Sequence, residues 1–143
     1  MAESAPDLDR FTYDQAWEVG SALVARSRAE MLPVTISIWL GQQRVFHAAL
    51  PGTSADNDSW VEKKANVVRR FGRSSLDVFD HYDVGSHPEF FEAFGLSRSE
   101  YAPGEGALPI RVRGSLVGVL AVSGLEDGGD HELALSALRS LRD

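Results

Sequence analysis

One lysine lies inside the apolar stripe of a predicted helix. In residues 60–71, WVEKKANVVRRF, helical geometry places Lys64 about 40° around the axis from Trp60, on the side that carries Val68 and Phe71. A buried ammonium without a partner would lose its proton or cost several kcal/mol. Either the stem of Lys64 covers Trp60 and Phe71 while the ammonium reaches water, or the ammonium meets an anion at a pocket rim. That anion would be a ligand carboxylate or a carboxylate of a neighbouring subunit.

The histidines do not indicate a metal site. His47, His81, His87 and His131 lack the spacing of a zinc-binding helix, and the chain contains no cysteine. His131 stands beside Asp130 at the start of the last predicted helix. It is either a ligand at a loop end or, as we favour, exposed to solvent in the first helical turn.

Two other polar segments have a structural explanation. The acidic residues before the last helix suit its N-terminus, so we expect Asp127 or Asp130 to cap it rather than to bind a metal. The segment GEG at 104–106 lacks the lysine and the following helix of a phosphate-binding loop. It predicts a bend into the strand that contains Pro109. No GxSxG motif supports a serine nucleophile.

The apolar residues indicate where helices bury their faces. Thr12 and Gln15 predict a capping box, and the residues after Thr12 recur at helical spacing up to about Glu30. The positions that predict one buried face are Tyr13, Ala16, Trp17, Gly20, Leu23 and Val24. A later helix carries aromatic residues that cannot share one side, so we expect some of them to face a neighbouring subunit. These are Phe90, Phe91 and Phe94.

Two pairs of β-rich runs complete the layout. VTISIWL and RVFHAAL are separated by GQQ, and a second hairpin turns at Arg113 and Gly114. The order of helix, hairpin, several short helices, hairpin and helix predicts an α+β domain, an antiparallel sheet with helices packed on it. Profilin, PAS and GAF folds share this layout, which says nothing about function.

Length and charge limit the function classes. The 143 residues suit one domain, which we place at 11–143 after a flexible N-terminus at 1–10. A net charge of -7 repels phosphate backbones and anionic membranes, so nucleic acid and membrane surfaces are not expected partners. The N-terminal residues lack the pattern of a signal peptide, and no apolar run is long enough to span a bilayer. We expect a soluble, cytoplasmic protein.

Three stretches together resemble the haem-degrading domain family, which contains GlcG-like proteins and secreted haem-binding sensor proteins. The first is the helix with Trp60, Lys64, Val68 and Phe71, followed by two serines. The others are ALPIRVRGSLVGVLAVSG and DHELAL, which opens the last helix. The likeness is closest to the uncharacterised branch of small standalone proteins and runs from about residue 17 to residue 141.

The resemblance implies a GlcG-like, three-layer fold with about five antiparallel strands flanked by helices, and assembly into homo-oligomers. It also implies a ligand pocket for haem or a similar anionic planar molecule, with Lys64 meeting a propionate and a histidine on the iron. One loop departs from the family pattern. Where relatives have a histidine and a run of glycines, this chain has Gly104, Glu105, Gly106 and Ala107 before Pro109. Axial ligation from this loop is therefore not expected.

We predict a homo-oligomer that binds a small ligand, with haem suggested only by the resemblance and no metal ligands assigned. The residues predicted to bind the ligand are Trp60, Lys64, Gly104, Gly106, Pro109, Asp130 and His131. Two other hypotheses remain. The protein is a structural or partner-binding module in which Lys64 forms an ion pair between subunits, or, more weakly supported, an enzyme that uses Lys64 or His131 as acid or base.

Overall fold

The computed structural model describes residues 4–141, and its elements confirm the predicted α+β order. In chain order these elements are β1 (Asp7–Leu8), α1 (Tyr13–Ala29), β2 (Thr35–Leu40), β3 (Gln43–Ala49), α2 (Ala55–Phe71), α3 (Ser75–His81), α4 (Phe90–Phe94), β4 (Ala107–Val112), β5 (Ser115–Ser123) and α5 (Gly129–Arg139). Among residues 4–141, no helix is long and apolar enough to cross a membrane. The cytoplasmic location stays a prediction.

The five strands form one sheet in the order β1-β4-β5-β2-β3. Both predicted hairpins are present, and β2 pairs with β5 in antiparallel register, with Ile36 opposite Val122. The expectation of a purely antiparallel sheet is wrong, because β1 runs parallel to β4. A two-residue strand is too short to produce a period in the sequence.

Part of the N-terminal segment belongs to the fold. Asp7 and Leu8 belong to the sheet rather than to a flexible terminus, because Leu8 is buried in the core and pairs with Val112. Residues 1–3, which also fall in the segment expected to be flexible, lie outside the described residues.

Helices cover both faces of the sheet and give three layers. Strand alternation directs one set of side chains toward α1 and α5 and the other set toward α2. The first set, which forms the larger core, is Ile36, Ile38, Leu108, Ile110, Leu120 and Val122. The second set, Trp39, Ala107, Val119 and Ala121, packs on Val61, Ala65 and Val68 of α2. Of the predicted apolar stripe of α2, Val68 faces the sheet, whereas Trp60 is 42% exposed and Phe71 packs against Phe94.

The predicted face of α1 is partly wrong. Tyr13 and Trp17 are 63% and 64% exposed, although their spacing includes them in the apolar stripe. Gly20 lies against the ring of Phe46 so closely that a Cβ there would come within 2.6 Å of it. Because the helix approaches the sheet so closely at Gly20, its buried face runs through Ala16, Gly20 and Leu23, and both aromatic rings lie outside it.

The aromatic cluster of α4 is also different from the prediction. Phe90 and Phe91 are buried, and Phe94 packs against Phe71 of α2 with ring centroids 5.1 Å apart. Together with Tyr82 they form a core cluster within the chain, beneath the short helices α3 and α4. These phenylalanines therefore give no reason to expect a neighbouring subunit.

Candidate functional site

Lys64 is held where α2 crosses β5. The helix begins after its N-cap, Ser54, which forms a capping box with Asn57. The Asn57 side chain also donates to Ser123 Oγ at 3.2 Å and ties the start of α2 to the end of β5. Lys64, two turns further along, is only 8% exposed. Its stem does not carry the ammonium out to water.

The partner of Lys64 is Asp130 of the same chain. Lys64 Nζ lies 3.3 Å from Asp130 Oδ2 and also donates to the carbonyl oxygen of Val122 at 3.3 Å. Asp130 is 3% exposed, so both members of the pair are removed from water. The expected anion is present, but it comes from neither a ligand nor a neighbouring subunit.

Asp130 organises the loop that joins β5 to α5. Its Oδ1 accepts the Leu125 amide at 2.8 Å and its Oδ2 accepts the Gly124 amide at 3.3 Å. The prediction that Asp127 or Asp130 caps α5 is wrong, because the N-cap is Gly128 and no side chain caps the helix. Burial raises the pKa of Asp130 above its ordinary value, although Lys64 and the two amides act in the opposite direction.

The GEG segment passes directly over the lysine. Gly106 has φ of +130°, and a Cβ there would overlap the carbonyl oxygen of Val122 and come within 2.9 Å of Lys64 Nζ. Glu105 Oε2 accepts the Gly128 amide at 2.6 Å, whereas its other oxygen, Oε1, is buried and has no hydrogen-bond partner in the described structure. The segment therefore links the strand β4 to the start of α5.

These elements border a cavity of about 420 Å³, which we call the acidic cavity. Trp60, 42% exposed, lies at its edge and donates from its indole nitrogen to Asp56 at 3.0 Å. The cavity wall contains one lysine, Lys64, and five carboxylates. These are Asp56, Glu105, Glu126, Asp127 and Asp130. The wall is therefore anionic overall, because a single ammonium faces five carboxylates.

The structure brings together some of the predicted site residues and separates others. Trp60, Lys64 and Asp130 line the acidic cavity. Gly104 and Gly106 are not on its wall, but Glu105, which lies between them in the chain, is. Pro109, in contrast, is buried within β4 opposite Val119 and is not on the cavity wall.

His131 is also off the cavity wall. It is 2% exposed, so the expectation of an exposed first-turn histidine is wrong. Neither ring nitrogen has a hydrogen-bond partner in the described structure. His131 lies on the buried face of α5 with Leu135 and Leu138, and its neighbour Asp130 is also buried.

Of the five carboxylates on the cavity wall, only Asp130 was predicted as a binding residue. Glu105 was the visible signal, since an acid stands there in place of the family's histidine, and it proves to be a cavity residue. Glu126 and Asp127 were assigned to capping, and nothing in their spacing showed that they would share a wall with Asp56. Among residues 4–141, no three histidine or carboxylate side chains are placed to hold a metal ion.

The chain is similar to proteins of one family. The model of one family, described as "Haem degrading protein HbpS-like", matches residues 11–139. A UPF0303 protein of Streptomyces avermitilis is 43% identical over 132 residues, which are 92% of this chain and 80% of that protein.

Solved structures resemble the fold closely. The crystal structure of the Ybr137w protein superposes with a TM-score of 0.81 at 31% identity, covering 94% of this chain and 81% of that one. The crystal structure of a PduOC:heme complex superposes with a TM-score of 0.76 at 18% identity, covering 91% and 94%. The second likeness concerns the fold alone.

Proposed function

The chain belongs to the HbpS-like family of haem-degrading proteins, and we propose that it is a small-ligand-binding protein whose ligand occupies the acidic cavity. The buried pair of Lys64 and Asp130 on the cavity wall carries the proposal. Apolar residues of similar volume commonly stabilise a fold as well as a buried ion pair does. Because apolar residues would stabilise the fold equally well, the presence of a charged pair on the cavity wall supports a role in ligand binding.

Haem is the ligand that the family suggests, and the cavity does not fit it. Haem needs a ligand for its iron and cationic groups for its propionates. Lys64 is already neutralised by Asp130, and the remaining charges of the wall would repel propionates. His131, the histidine next to the pair in sequence, is buried and does not line the cavity.

The wall instead suits a ligand that donates hydrogen bonds or carries positive charge. Glu105 Oε1 is an acceptor without a partner, and a buried acceptor left unpaired costs about 1–3 kcal/mol. A ligand ammonium would satisfy it and would be attracted by the neighbouring carboxylates. The half-exposed ring of Trp60 offers apolar surface to the rest of such a ligand.

Three ligands of nearly equal shape test the charge preference. We would follow the amides of Gly124, Leu125 and Gly128 by NMR during titration with benzylamine, benzyl alcohol and benzoate. Benzylamine should give saturable shifts that weaken in Glu105→Gln, because the variant removes one charge from the wall. Glu92→Gln, on the exposed side of α4, is the matched control and should change nothing.

Haemin is the opposing ligand in the same experiment. Saturable haemin binding at one per chain, lost in Lys64→Ala and accompanied by a Soret shift, would contradict the proposed charge preference and return haem to the site. Benzoate binding as tightly as benzylamine would also overturn it. The use of Lys64 or His131 as an acid or base stays a prediction. Lys64 bonds the Val122 carbonyl oxygen and Asp130, and neither ring nitrogen of His131 has a hydrogen-bond partner in the described structure.

We also propose that the chain forms a homo-oligomer through α1. The support is the pair of exposed aromatic rings, Tyr13 and Trp17, which lie one turn apart on this helix. Lys64 does not contribute an ion pair between subunits in this picture, because its partner is Asp130. Native mass spectrometry of Trp17→Glu should show a smaller assembly, whereas Met31→Glu, at an 88% exposed position after α1, should not. A wild-type monomer would end the proposal.

A further inference from the structure

A second cavity lies at the other end of β5. It has a volume of about 200 Å³ and is bordered by the turn at Gly41 and Gln42, by residues 116–119 of β5, and by Arg69 of α2. Leu116, Val117 and Val119 make much of its wall apolar, in contrast to the carboxylates of the acidic cavity. We call it the arginine cavity.

Two guanidinium groups lie over one buried ring beside this cavity. Arg44 Cζ is 4.8 Å and Arg69 Cζ is 5.3 Å from the ring centroid of Trp39. Arg44 stands opposite Trp39 in the register of β2 and β3, and Arg69 reaches the same ring from α2. The π-face of tryptophan attracts cations, so it can hold both groups although they repel each other.

The charges around Trp39 are not balanced. Glu62 Oε2 lies 3.6 Å from Arg44 Nη2 and is one carboxylate for two arginines. Arg69 donates to the Asn66 side chain at 3.1 Å, and within residues 4–141 no carboxylate lies at ion-pair distance from it. Burial lowers the pKa of Arg69, Glu62 opposes this, and Arg44 adds to it. The guanidinium that faces the cavity is therefore partly desolvated and lacks its own anion.

We propose that the arginine cavity binds the carboxylate of a small aliphatic acid. The carboxylate accepts hydrogen bonds from the Arg69 guanidinium, whose planar fork matches a carboxylate in bidentate geometry. The hydrocarbon part packs on Leu116, Val117 and Val119. The cavity is smaller than the roughly 300–1,000 Å³ of drug-sized sites, so the acid has only a few carbon atoms.

A small carboxylic acid fits this site better than a phosphate does. The two arginines and Glu62 leave one net positive charge, which a monoanion neutralises and a dianion exceeds. Apart from Arg69, the side chains of the cavity wall offer further phosphate oxygens only the neutral amide of Gln42. Inorganic phosphate is therefore the natural competitor to test beside the acid.

The experiment is an NMR titration of the full chain with hexanoate at constant ionic strength. We expect saturable shifts at the amides of Gly41, Gln42 and Gly118, and none with hexanamide, which has the same chain without the charge. Arg69→Met should weaken hexanoate binding about tenfold or more, because a charge-assisted hydrogen bond is lost. Arg70→Met, next along α2 and exposed, is the control and should bind as the wild type does.

Other outcomes decide against the proposal. Hexanamide binding as well as hexanoate, phosphate displacing hexanoate at equal concentration, or full binding in Arg69→Met would each overturn it. Arg69→Lys keeps the charge without the fork and remains informative if Arg69→Met unfolds. It should bind hexanoate more weakly than the wild type and more tightly than Arg69→Met. Saturating benzylamine should leave hexanoate binding unchanged, so a failure here is separate from a failure at the acidic cavity.

Discussion

The two ends of α2 hold cations against the sheet in different ways. On the side of the acidic cavity, the Lys64 ammonium is buried and neutralised by Asp130 at 3.3 Å. On the side of the arginine cavity, Arg44 and Arg69 rest on Trp39, and Arg44 pairs with the exposed Glu62 at 3.6 Å. Of these three cations, Arg69 is the one without a carboxylate of residues 4–141 at ion-pair distance.

The difference shows that local charge can be opposite at two sites on one helix of an acidic protein. The first turn of α2 contains Asp56 and Asp58, and its last turn contains Arg69 and Arg70. This distribution complements the helix macrodipole at both ends. A net charge of -7 for the whole chain therefore does not predict the charge of a ligand at either cavity.

Breaking the buried pair should have the largest effect on stability. Lys64→Met leaves a buried carboxylate, and Asp130→Asn leaves a buried ammonium, so each should lower the free energy of unfolding by about 3–5 kcal/mol. The double variant removes both charges and should recover much of that loss. Urea unfolding measures all three. Losses that simply add in the double variant would show that the two charges do not stabilise each other.

Gly106 tests how tightly the loop is packed over that pair. Gly106→Ala adds a Cβ against Val122 and Lys64 at a positive φ, whereas Gly104→Ala meets a positive φ with no atom within 4 Å. Both variants carry backbone strain, and Gly106→Ala should lose about 1–3 kcal/mol more because of the overlap. Thermal unfolding compares them. Equal losses would mean that the space over Lys64 is looser than the structure indicates.

The raised pKa of Asp130 predicts a pH dependence of definite sign. Between the ordinary carboxyl value and the raised one, the folded state binds more protons than the unfolded state, so stability falls as pH increases through this window. The stability advantage of the wild type over Asp130→Asn should therefore be greatest at low pH and should shrink above about pH 4. Unfolding free energies at several pH values test this. An advantage that grows with pH would mean that Lys64 outweighs burial.

The arginines on Trp39 should contribute least. A cation over an aromatic face contributes about 0.5–1 kcal/mol at exposed sites and about 2 kcal/mol when desolvated, so Arg44→Met and Arg69→Met, over the buried ring of Trp39, should each lose about 1–2 kcal/mol. Arg70→Met, which removes a contact with Phe71 at 6.0 Å and an exposed hydrogen bond to the Phe94 carbonyl oxygen, should cause a loss no larger than these. Denaturant unfolding of the three variants provides the measurement. A loss in Arg69→Met as large as in Lys64→Met would remove the distinction between the two ends.

Patterns that are local in the sequence predicted most of the fold. The period of two in the hairpins and the helical spacing of α2 depend on neighbouring residues, and the structure has both hairpins and the helix. The face of α2 on the sheet is Val61, Ala65 and Val68, of which only Val68 was in the predicted stripe. The spacing placed Trp17 in a buried face, although it is exposed, and some of the phenylalanines of α4 at a neighbouring subunit, although Phe90 and Phe91 are buried, because an aromatic residue suits a core as well as an exposed edge. Side-chain spacing alone did not separate these two environments.

The partner of Lys64 was beyond the reach of sequence patterns. The need for a counter-charge follows from one helical stripe, but Asp130 is 66 residues away and reaches Lys64 only through the strand order and the β5–α5 loop. Glu105 was noticed as an unusual acid, yet its distance from Asp130 also depends on that topology. The local sequence predicted that Lys64 needs a counter-charge, but it did not predict that Asp130 provides it.

The three tryptophans of the chain lie in three different places, which makes the protein its own optical reporter. Trp17 is exposed on α1, Trp39 is buried beneath two guanidinium groups, and Trp60 stands half-exposed at the edge of the acidic cavity. Replacing any two by phenylalanine would leave one fluorophore. Emission from each single-tryptophan protein would then follow the α1 surface, the arginine cavity or the acidic cavity separately, without an attached dye.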